Sequence, residues 1–370
     1  MTPTMAGLGI AFGRVAFVML FVLTMGGLLT WVERKQSAVM QDRIGANRAS
    51  IFGLRLLGLF HPLADAIKML TKEDFLPARA DRTLFTLAPF VSVVSALVAF
   101  AAIPFGDVLR AGGREIPLQA VTLNAGILYV FAMLSLGVYG VMMAGWASAN
   151  NYALLGGQRA AALMISAEVA IGASIMGVAM VYGSLDMMEI IRGQGAPLLP
   201  QWFGDWIPKW GVFTQLPAFI LFLAAGMAAT KRIPFDFPEG ESEIIGYFVE
   251  YSGMKFGMFM MADFVETVVI AGLTTALFLG GWQVPYLAGD GFRFPWGATV
   301  ALAQPLVALL QVLAFCLKVA VVCWFLMLIR WTLPRFRYDQ AMRLGWLGLF
   351  PLSILNVAAT GLVLVAWRGP

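Results

Sequence analysis

The sequence predicts an all-α fold: a polytopic membrane helical bundle with eight transmembrane helices and long cytoplasmic loops. Only 12% of the residues are charged, 60% are hydrophobic, and the mean hydropathy is +0.81. Apolar runs of the roughly 20 residues that a bilayer span requires recur from end to end. Transmembrane β-strands alternate polar and apolar residues over about 10 positions, and these runs do not alternate, which excludes a barrel.

Eight apolar runs are long enough to be spans, and no stretch between them is long enough for a separate soluble domain. Residues 1–370 are therefore expected to form a single transmembrane domain. The predicted spans are roughly residues 8–32, 83–105, 119–144, 160–182, 210–229, 257–281, 302–329 and 344–367. The first run is too long for the apolar core of a cleavable signal peptide, so we expect a retained helix.

The distribution of basic residues predicts the orientation. Of the 25 Lys and Arg residues, seventeen fall in the odd-numbered loops, about residues 33–82, 145–159, 230–256 and 330–343. Cytoplasmic loops carry the excess of Lys and Arg, so we expect these loops in the cytoplasm. Both termini would then lie on the outer, periplasmic side of the inner (cytoplasmic) membrane. The net charge of +4 reflects this topology and does not suggest binding to nucleic acid.

Cysteine and histidine are too few for a redox centre on this chain. Cys316 and Cys323 lie in the seventh run and are expected to behave as small apolar side chains. An iron–sulfur cluster usually needs four thiolates and a bis-histidine haem needs two histidines, whereas His61 is the only histidine. We therefore expect no metal, no haem and no bound cofactor, and we interpret His61 as a polar residue of a surface helix.

The first loop is expected to contain a short helix along the membrane surface. Its apolar residues recur at helical spacing while charged residues take the other faces, which is typical of an interfacial helix. Pro62 suits the first turn, where no intrahelical N–H bond is lost. The apolar positions are Leu63, Ala66, Ile67 and Leu70.

The segment from Lys231 to Glu250 concentrates acids beside a span. Five of the 21 acids fall within it: Asp236, Glu239, Glu241, Glu243 and Glu250. Pro234 and Pro238 favour an extended start, and a helix is expected from near Glu239, with Glu239, Glu243, Tyr247 and Glu250 on one face. The segment is interpreted either as a solvated helix start, whose acids complement the helix dipole, or as a functional cluster.

Four charged residues lie inside the predicted spans. Each costs at least about 2.5 kcal/mol at a helix centre unless it is paired or hydrated. One interpretation is a buried ion pair, for example of Lys318 with one carboxylate, that fixes packing. The other is a hydrated proton path formed by such groups. The four residues are Glu168, Asp263, Glu266 and Lys318.

Sequence blocks along nearly the whole chain resemble a known family. They are ERKQSAVMQDRIGANR (33–48), HPLADAIKMLTKED (61–74), GWASANNYALLGGQR (145–159), RIPFDFPEGESE (232–243), VEYSGMKFGMF (249–259), LFLGGW (277–282) and RWTLPRFRYDQAMRLGW (330–346). Together they resemble the H-type (subunit 1) membrane subunit family of respiratory complex I, the proton-pumping NADH:quinone oxidoreductase.

The resemblance implies a subunit that joins the redox arm to the membrane arm, forms much of the quinone chamber and couples quinone reduction to proton pumping. The substrate would be ubiquinone or menaquinone, with NADH, FMN and iron–sulfur clusters held by partner subunits. The implied partners are the quinone-site hydrophilic subunits, the terminal iron–sulfur subunit, small membrane subunits and lipid. The implied chamber and junction residues are Glu33, Arg34, Arg43, Asp65, Lys68, Arg232, Asp236, Glu239, Glu241, Glu243 and Glu250.

Glu168 matches the family's mid-span acid, but several positions depart from its pattern. The usual ETNR reads ATKR at 229–232, so an expected glutamate is Ala229. The tyrosine that often precedes the mid-span acid is Ala167, and the usual GPN turn reads Gly45-Ala46-Asn47. Asp263 falls where the family more often has Glu. The missing glutamate leaves open how the acids connect, with Glu239 or Glu266 as possible substitutes.

Two alternatives remain at this level. One is the membrane anchor of an energy-converting hydrogenase or formate hydrogenlyase, which is related to this family and needs no quinone chamber. The other is a stand-alone ion transporter. Transporters often contain inverted repeats, and no internal repeat is visible in this sequence.

Overall fold

A computed structural model of the chain describes residues 5–111, 114–198, 207–238, 240, 244 and 246–368. The chain is mostly helical. In order, the helices are α1 (Met5–Met40), α2 (His61–Thr71), α3 (Arg82–Ala99), α4 (Gly126–Ala147), α5 (Asn151–Tyr182), α6 (Met187–Gln194), α7 (Gly211–Thr214), α8 (Leu216–Ala229), α9 (Gly253–Phe278), α10 (Gln304–Thr332), α11 (Tyr338–Arg343) and α12 (Phe350–Arg368).

Seven helical segments within the described ranges are long and apolar enough to cross a membrane. They contain α1, α3, α4, α5, α9, α10, and α11 with α12. The predicted span at 210–229 is different, because the helix breaks at Gln215 between α7 and α8. At 14 residues, α8 is about 21 Å long, shorter than the roughly 30 Å hydrocarbon core. Helix length alone therefore supports seven spans rather than the eight predicted.

Side-chain caps fix where several helices begin. Asp81 accepts hydrogen bonds from the amides of Thr83 (2.9 Å) and Leu84 (3.0 Å) at the start of α3. Asn150 caps α5 and Asp186 caps α6 in the same way. Because the first amides of a helix have no intrahelical acceptor, each such cap contributes about 1 kcal/mol.

Helix α9 is the centre of the bundle. Every residue from Ala262 to Phe278 is buried, and α9 packs against α1, α2, α3, α8 and α10. In contrast, α12 carries exposed apolar side chains such as Leu355 and Leu362. A polar group on α9 within this stretch therefore needs a partner inside the bundle.

Close helix contacts depend on small residues. A Cβ on Gly140 in α4 would lie 2.8 Å from the amide nitrogen of Ser92 in α3, so the two backbones touch at this point. Small residues allow such approaches in membrane bundles, where association relies on packing.

The odd and even loops lie at opposite ends of the bundle. At one end, Asp74 of the first loop pairs with Lys255 at 2.9 Å, and Glu250 of the fifth loop accepts a hydrogen bond from Asn150 of the third at 2.8 Å. At the other end, Asp107 of the second loop pairs with Arg192 of the fourth at 2.6 Å. The segment α7–α8 connects these two ends.

Two small antiparallel sheets make the all-α prediction incomplete. They lie in the second and sixth loops, between membrane helices, where alternating turns and short extended runs satisfy backbone groups through pairing. The strands are β1 (Val108–Ala111) with β2 (Arg114–Pro117), and β3 (Leu287–Ala288), β4 (Gly291–Arg293) and β5 (Thr299–Ala301).

The helix predicted in the first loop is confirmed as α2, with Pro62 in its first turn; its position along the membrane surface stays a prediction. Its apolar residues Leu63, Ile67 and Leu70 are all more than half exposed. The opposite side packs on α9, where a Cβ on Gly257 would lie 2.5 Å from the sulfur of Met69. The apolar row of α2 therefore faces away from the bundle.

The helix predicted from near Glu239 is wrong over the residues described there. Residues 247–250 form a turn, and α9 begins only at Gly253. Gly246 has φ +116°, a backbone conformation that a right-handed helix does not contain. Glu239, Glu241 and Glu243 lie outside the described residues.

Lys318 holds the far end of α9. Its Nζ donates to the carbonyl oxygens of Leu279 (2.7 Å), Gly281 (3.1 Å) and Gln283 (2.7 Å) and lies 4.4 Å from the ring centre of Trp210. The suggested ion pair of Lys318 with a carboxylate is therefore replaced by bonds to main-chain carbonyls. These carbonyls follow the last turn of α9, where intrahelical donors run out.

We expect Lys318→Met to loosen the backbone after α9. Each lost bond to a charged donor is worth about 1.5–3 kcal/mol, so hydrogen exchange of the amides at 279–287 should quicken by about tenfold or more. The control is Lys209→Met, since Lys209 lies nearby but its Nζ, within the described part of the chain, contacts the Tyr182 ring face at 5.7 Å and bonds to no carbonyl after α9. Unchanged exchange at 279–287 in the Lys318 variant would contradict this role.

Candidate functional site

A cavity of about 310 Å³ lies between α1, α2 and α9, at the end of the bundle where the odd loops meet. Its apolar and aromatic walls come mainly from one face of α9 and from α2, and its charged groups come from the ends of α1 and α2. The wall residues include Pro62, Met69, Phe256, Met260, Met261 and Phe264, and the charged residues are Glu33, Arg34, Asp65 and Lys68.

One ion pair links α1 to α2 at this cavity. Arg34 on α1 contacts Asp65 on α2 at 2.6 Å, and Lys68 lies 3.5 Å from the other oxygen of the same carboxylate. The pair with Lys68 is exposed and contributes little to stability. The contact between Arg34 and Asp65 fixes the position of α2 relative to α1.

A second charge cluster surrounds Glu33. Its two carboxylate oxygens contact Arg232 at 3.1 Å and Arg330 at 2.7 Å, and all three side chains are mostly buried. The guanidinium of Arg232 also lies 3.9 Å from the ring centre of Phe264, within the range of a cation–π contact. One carboxylate thus connects α1, the segment after α8, and the end of α10.

A third cluster lies deeper and is built around Lys231. Its Nζ contacts Asp263 at 2.8 Å and Glu266 at 3.3 Å, and the three side chains are at least 93% buried. Burial alone would lower the pKa of Lys231, but the charges of Asp263 and Glu266 outweigh it and raise the pKa well above its usual range. Lys231 therefore keeps its positive charge at neutral pH.

Glu168 on α5 lies across a small gap from this cluster. It accepts a hydrogen bond from the Ser135 hydroxyl at 2.7 Å. A cavity of about 20 Å³ separates Glu168 from Glu266, and Ala229 and Thr230 form part of its wall. A single water molecule needs about 10–15 Å³ by the same measure and two or more polar partners, so the gap is suited to one water.

The described acids of the fifth loop contact other odd loops. Asp236 pairs with Arg335 of the seventh loop at 2.8 Å, and the ring of Phe235 stacks on that of Phe336, 5.4 Å between centres. Glu250 contacts the third loop through Asn150. The fifth loop is therefore held between its neighbours.

The structure does not bring every predicted site residue to the cavity. Arg43 bonds to its own loop, through Gln41 at 2.7 Å and Ser37 at 3.5 Å. His61 Nδ1 contacts the Gly58 carbonyl oxygen at 3.0 Å. Lys318 lies at the other end of α9, about 20 Å from Glu266 along the helix axis at 1.5 Å per residue.

Sequence reasoning missed Lys231, Arg330 and Arg335 as site residues. In the sequence they entered only the count of basic residues in the odd loops, yet in the structure each contacts a carboxylate that is mostly buried. A usable signal was present: Asp263 and Glu266 required a buried cation, and Lys231 directly follows an apolar helix that ends on the same side of the bundle as their half of α9.

Comparison with known proteins gives the family. The family model described as NADH dehydrogenase matches residues 13–361. Among curated relatives, the first H-type subunit of the NADH-quinone oxidoreductases of Geobacter metallireducens is 41% identical over 366 residues, with 99% of each chain covered. The second H-type subunit of Geobacter sulfurreducens is 42% identical, with 95% of each chain covered, and the H-type subunit of Thermomicrobium roseum is 42% identical, with 94% covered. Over almost its whole length, the chain belongs to the family of H-type subunits of NADH-quinone oxidoreductase.

Proposed function

We propose that this chain forms the membrane part of the quinone chamber in a proton-translocating NADH-quinone oxidoreductase and joins the redox arm to the membrane arm. The observation that carries the proposal is the 310 Å³ cavity between α1, α2 and α9. Its size falls within the roughly 300–1,000 Å³ typical of small-molecule sites, which are mostly apolar with a few polar groups. A quinone has the matching chemistry, an apolar tail and a head with two carbonyl oxygens.

The charged groups at one end of the cavity suit the quinone head. Arg34 and Lys68 supply N–H donors, and Asp65 contacts both of them. The apolar wall of Met69, Met260 and Met261 suits a flexible tail, because unbranched thioether side chains adapt to irregular shapes. The names of the relatives supply the substrate class, since each is an NADH-quinone oxidoreductase subunit.

The proposed proton path begins beside this chamber and runs through Lys231, Asp263, Glu266 and Glu168. Lys231 and Arg232 are consecutive, yet Arg232 contacts Glu33 and the Phe264 ring of the chamber wall, whereas Lys231 contacts Asp263 and Glu266. A charge change in the chamber would therefore act on the inner cluster through one short segment. Lys318 is left outside the path because its Nζ holds carbonyls at the other end of the bundle.

The fifth loop is proposed as the junction with the hydrophilic partner subunits. Asp236 and Glu250 belong to it, and Glu239, Glu241 and Glu243 are included from the sequence alone. Arg43 belongs to the same proposal, since it lies in the first loop at the same end. NADH, FMN and the iron–sulfur clusters are assigned to the partners.

For the topology, we propose that the segment α7–α8 is an eighth crossing. It connects the fourth loop to the fifth loop. Arg192 of the fourth loop contacts the second loop, whereas residues of the fifth loop contact the first, third and seventh loops. With the odd loops in the cytoplasm, both termini would lie on the periplasmic side of the inner membrane.

We expect Gly27→Leu to impair quinone reduction. Gly27 lines the chamber, and a Cβ there meets nothing within 4 Å, so the leucine would occupy quinone space without displacing protein atoms. The KM for a short-chain quinone should rise by about tenfold, equivalent to about 1.4 kcal/mol, while reduction of a water-soluble acceptor by the redox arm stays normal. Gly9→Leu is the control, as Gly9 also faces open space but lies outside the chamber lining. Equal kinetics in both variants would exclude this cavity as the chamber.

We expect Ala229→Val to slow quinone-linked proton translocation more than Ala229→Thr. Both side chains have nearly the same shape and fill the 20 Å³ gap between Glu168 and Glu266, but only threonine supplies a hydroxyl that can replace a bridging water. Proton uptake in membrane vesicles is the measurement. Identical rates for the two variants would show that the gap carries no proton.

We expect Lys231→Met to destabilise the bundle by about 3–5 kcal/mol, because it leaves two buried carboxylates without their cation. Asp263→Asn in the same chain should recover part of the loss, since it removes one uncompensated charge. Hydrogen exchange of residues 226–236 in the purified complex reports the effect. No recovery in the double variant would contradict the assigned ion pairs.

A further inference from the structure

A second, larger cavity lies at the opposite end of the bundle from the proposed chamber. It is an apolar groove of about 470 Å³ between α1, strand β1 with the residues that follow β2, and the first turns of α10. Phe17, Leu109 and Leu309 form its walls, and Phe17 and Leu309 are about half exposed. None of the groups in the proposed proton path or chamber lines this groove.

Arg14 is the charged group of the groove. It lies 19 positions before Glu33 on the same helix, a separation of about 29 Å at 1.5 Å per residue, close to the roughly 30 Å hydrocarbon thickness. If Glu33 lies at one boundary of the hydrocarbon, Arg14 lies at the other, where lipid phosphates are found. The groove below it extends along apolar side chains of α1 and α10.

The polar atoms of the groove are incompletely bonded within the described residues. Arg14 reaches only the Pro117 carbonyl oxygen, at 3.5 Å from Nη1, and its Nε has no hydrogen-bond acceptor there. Gln119 is 2% exposed; its Nε2 donates to the Ala102 carbonyl, and its Oε1 has no donor among those residues. Buried polar groups of this kind are costly while they lack a hydrogen-bond partner.

We propose that this groove binds one membrane phospholipid, with its phosphate on Arg14 and an acyl chain along the apolar walls. A guanidinium matches phosphate oxygens with two parallel N–H donors. The membrane supplies this ligand, and neither a quinone nor an apolar helix offers an anion to Arg14.

A larger side chain at Gly13 can test whether the groove binds a lipid, because it would fill the groove. A Cβ on Gly13 meets nothing within 4 Å, and Gly13 lines the groove. Gly13→Leu would therefore fill the groove while leaving Arg14 and its neighbours in place. Gly9→Leu is the matched control, one helical turn away, also facing open space and outside the lining.

The test uses the intact complex in nanodiscs containing a phosphatidylglycerol with a photoreactive acyl chain. After irradiation, mass spectrometry of this chain quantifies labelled peptides around Phe17, Leu109 and Leu309. We expect labelling to fall at least about fivefold, a free-energy change of about 1 kcal/mol, in Arg14→Gln and in Gly13→Leu. Gly9→Leu should label as the wild type does. Arg14→Lys keeps the charge but loses the paired N–H donors, so its labelling should fall between those of the wild type and Arg14→Gln.

A photoreactive diacylglycerol, which lacks the phosphate, separates specific binding from general lipid contact. Wild-type groove peptides should be labelled several times more by the phospholipid than by the diacylglycerol, and Arg14→Gln should abolish the difference. Equal labelling by the two lipids in the wild type would overturn the proposal. So would the absence of wild-type labelling in the groove, which would mean that a partner subunit covers it.

Discussion

The contact of Lys231 with Asp263 and Glu266 is the interaction on which the polar interior of this bundle depends. α9 is buried on all sides over the stretch that carries both acids, so neither acid can reach bulk water without opening the bundle. One lysine from the segment after α8 supplies the counter-charge to both. Arg232, the next residue, lies against Glu33 and Phe264, so the same segment also forms contacts at the wall of the proposed chamber.

The two ends of the bundle satisfy buried charge in different ways. At the end of the proposed chamber, cations and carboxylates pair across helices and loops, and these clusters contain the carboxylates of the proposed proton path. At the opposite end, Lys318 bonds to three carbonyls of a turn and pairs with no carboxylate of the described residues. A buried lysine can therefore act as part of a titrating cluster or as a fixed helix cap, and its partners decide which.

Much of the fold could be predicted from the sequence, because spans and the amphipathic α2 follow from hydropathy and periodicity. The site was predicted less completely. Helical spacing after Glu239 suggested a helix, but Gly246 and the contact of Glu250 with Asn150 hold the chain in a turn, and such tertiary contacts leave no local signal. The ion-pair partners were also not predicted. Lys231 and Asp263 lie far apart in the sequence, and the sequence does not show whether Lys231 or Lys318 contacts a carboxylate. The water-sized gap at Ala229 likewise could not be predicted, because it depends on how the helices around it pack.

The outward-facing apolar row of α2 has a consequence for how a quinone would reach the proposed chamber. Leu63, Ile67 and Leu70 are exposed on the side away from the bundle, and an interfacial helix of this kind rests at the level where acyl chains begin. At that level, the cavity beside α2 would open at the edge of the bilayer rather than toward bulk water. With the proposed function, a quinone dissolved in the membrane would reach it by lateral diffusion. The lipid phase would then act as a two-dimensional reservoir, and saturation would depend on the mole fraction of quinone among the lipids.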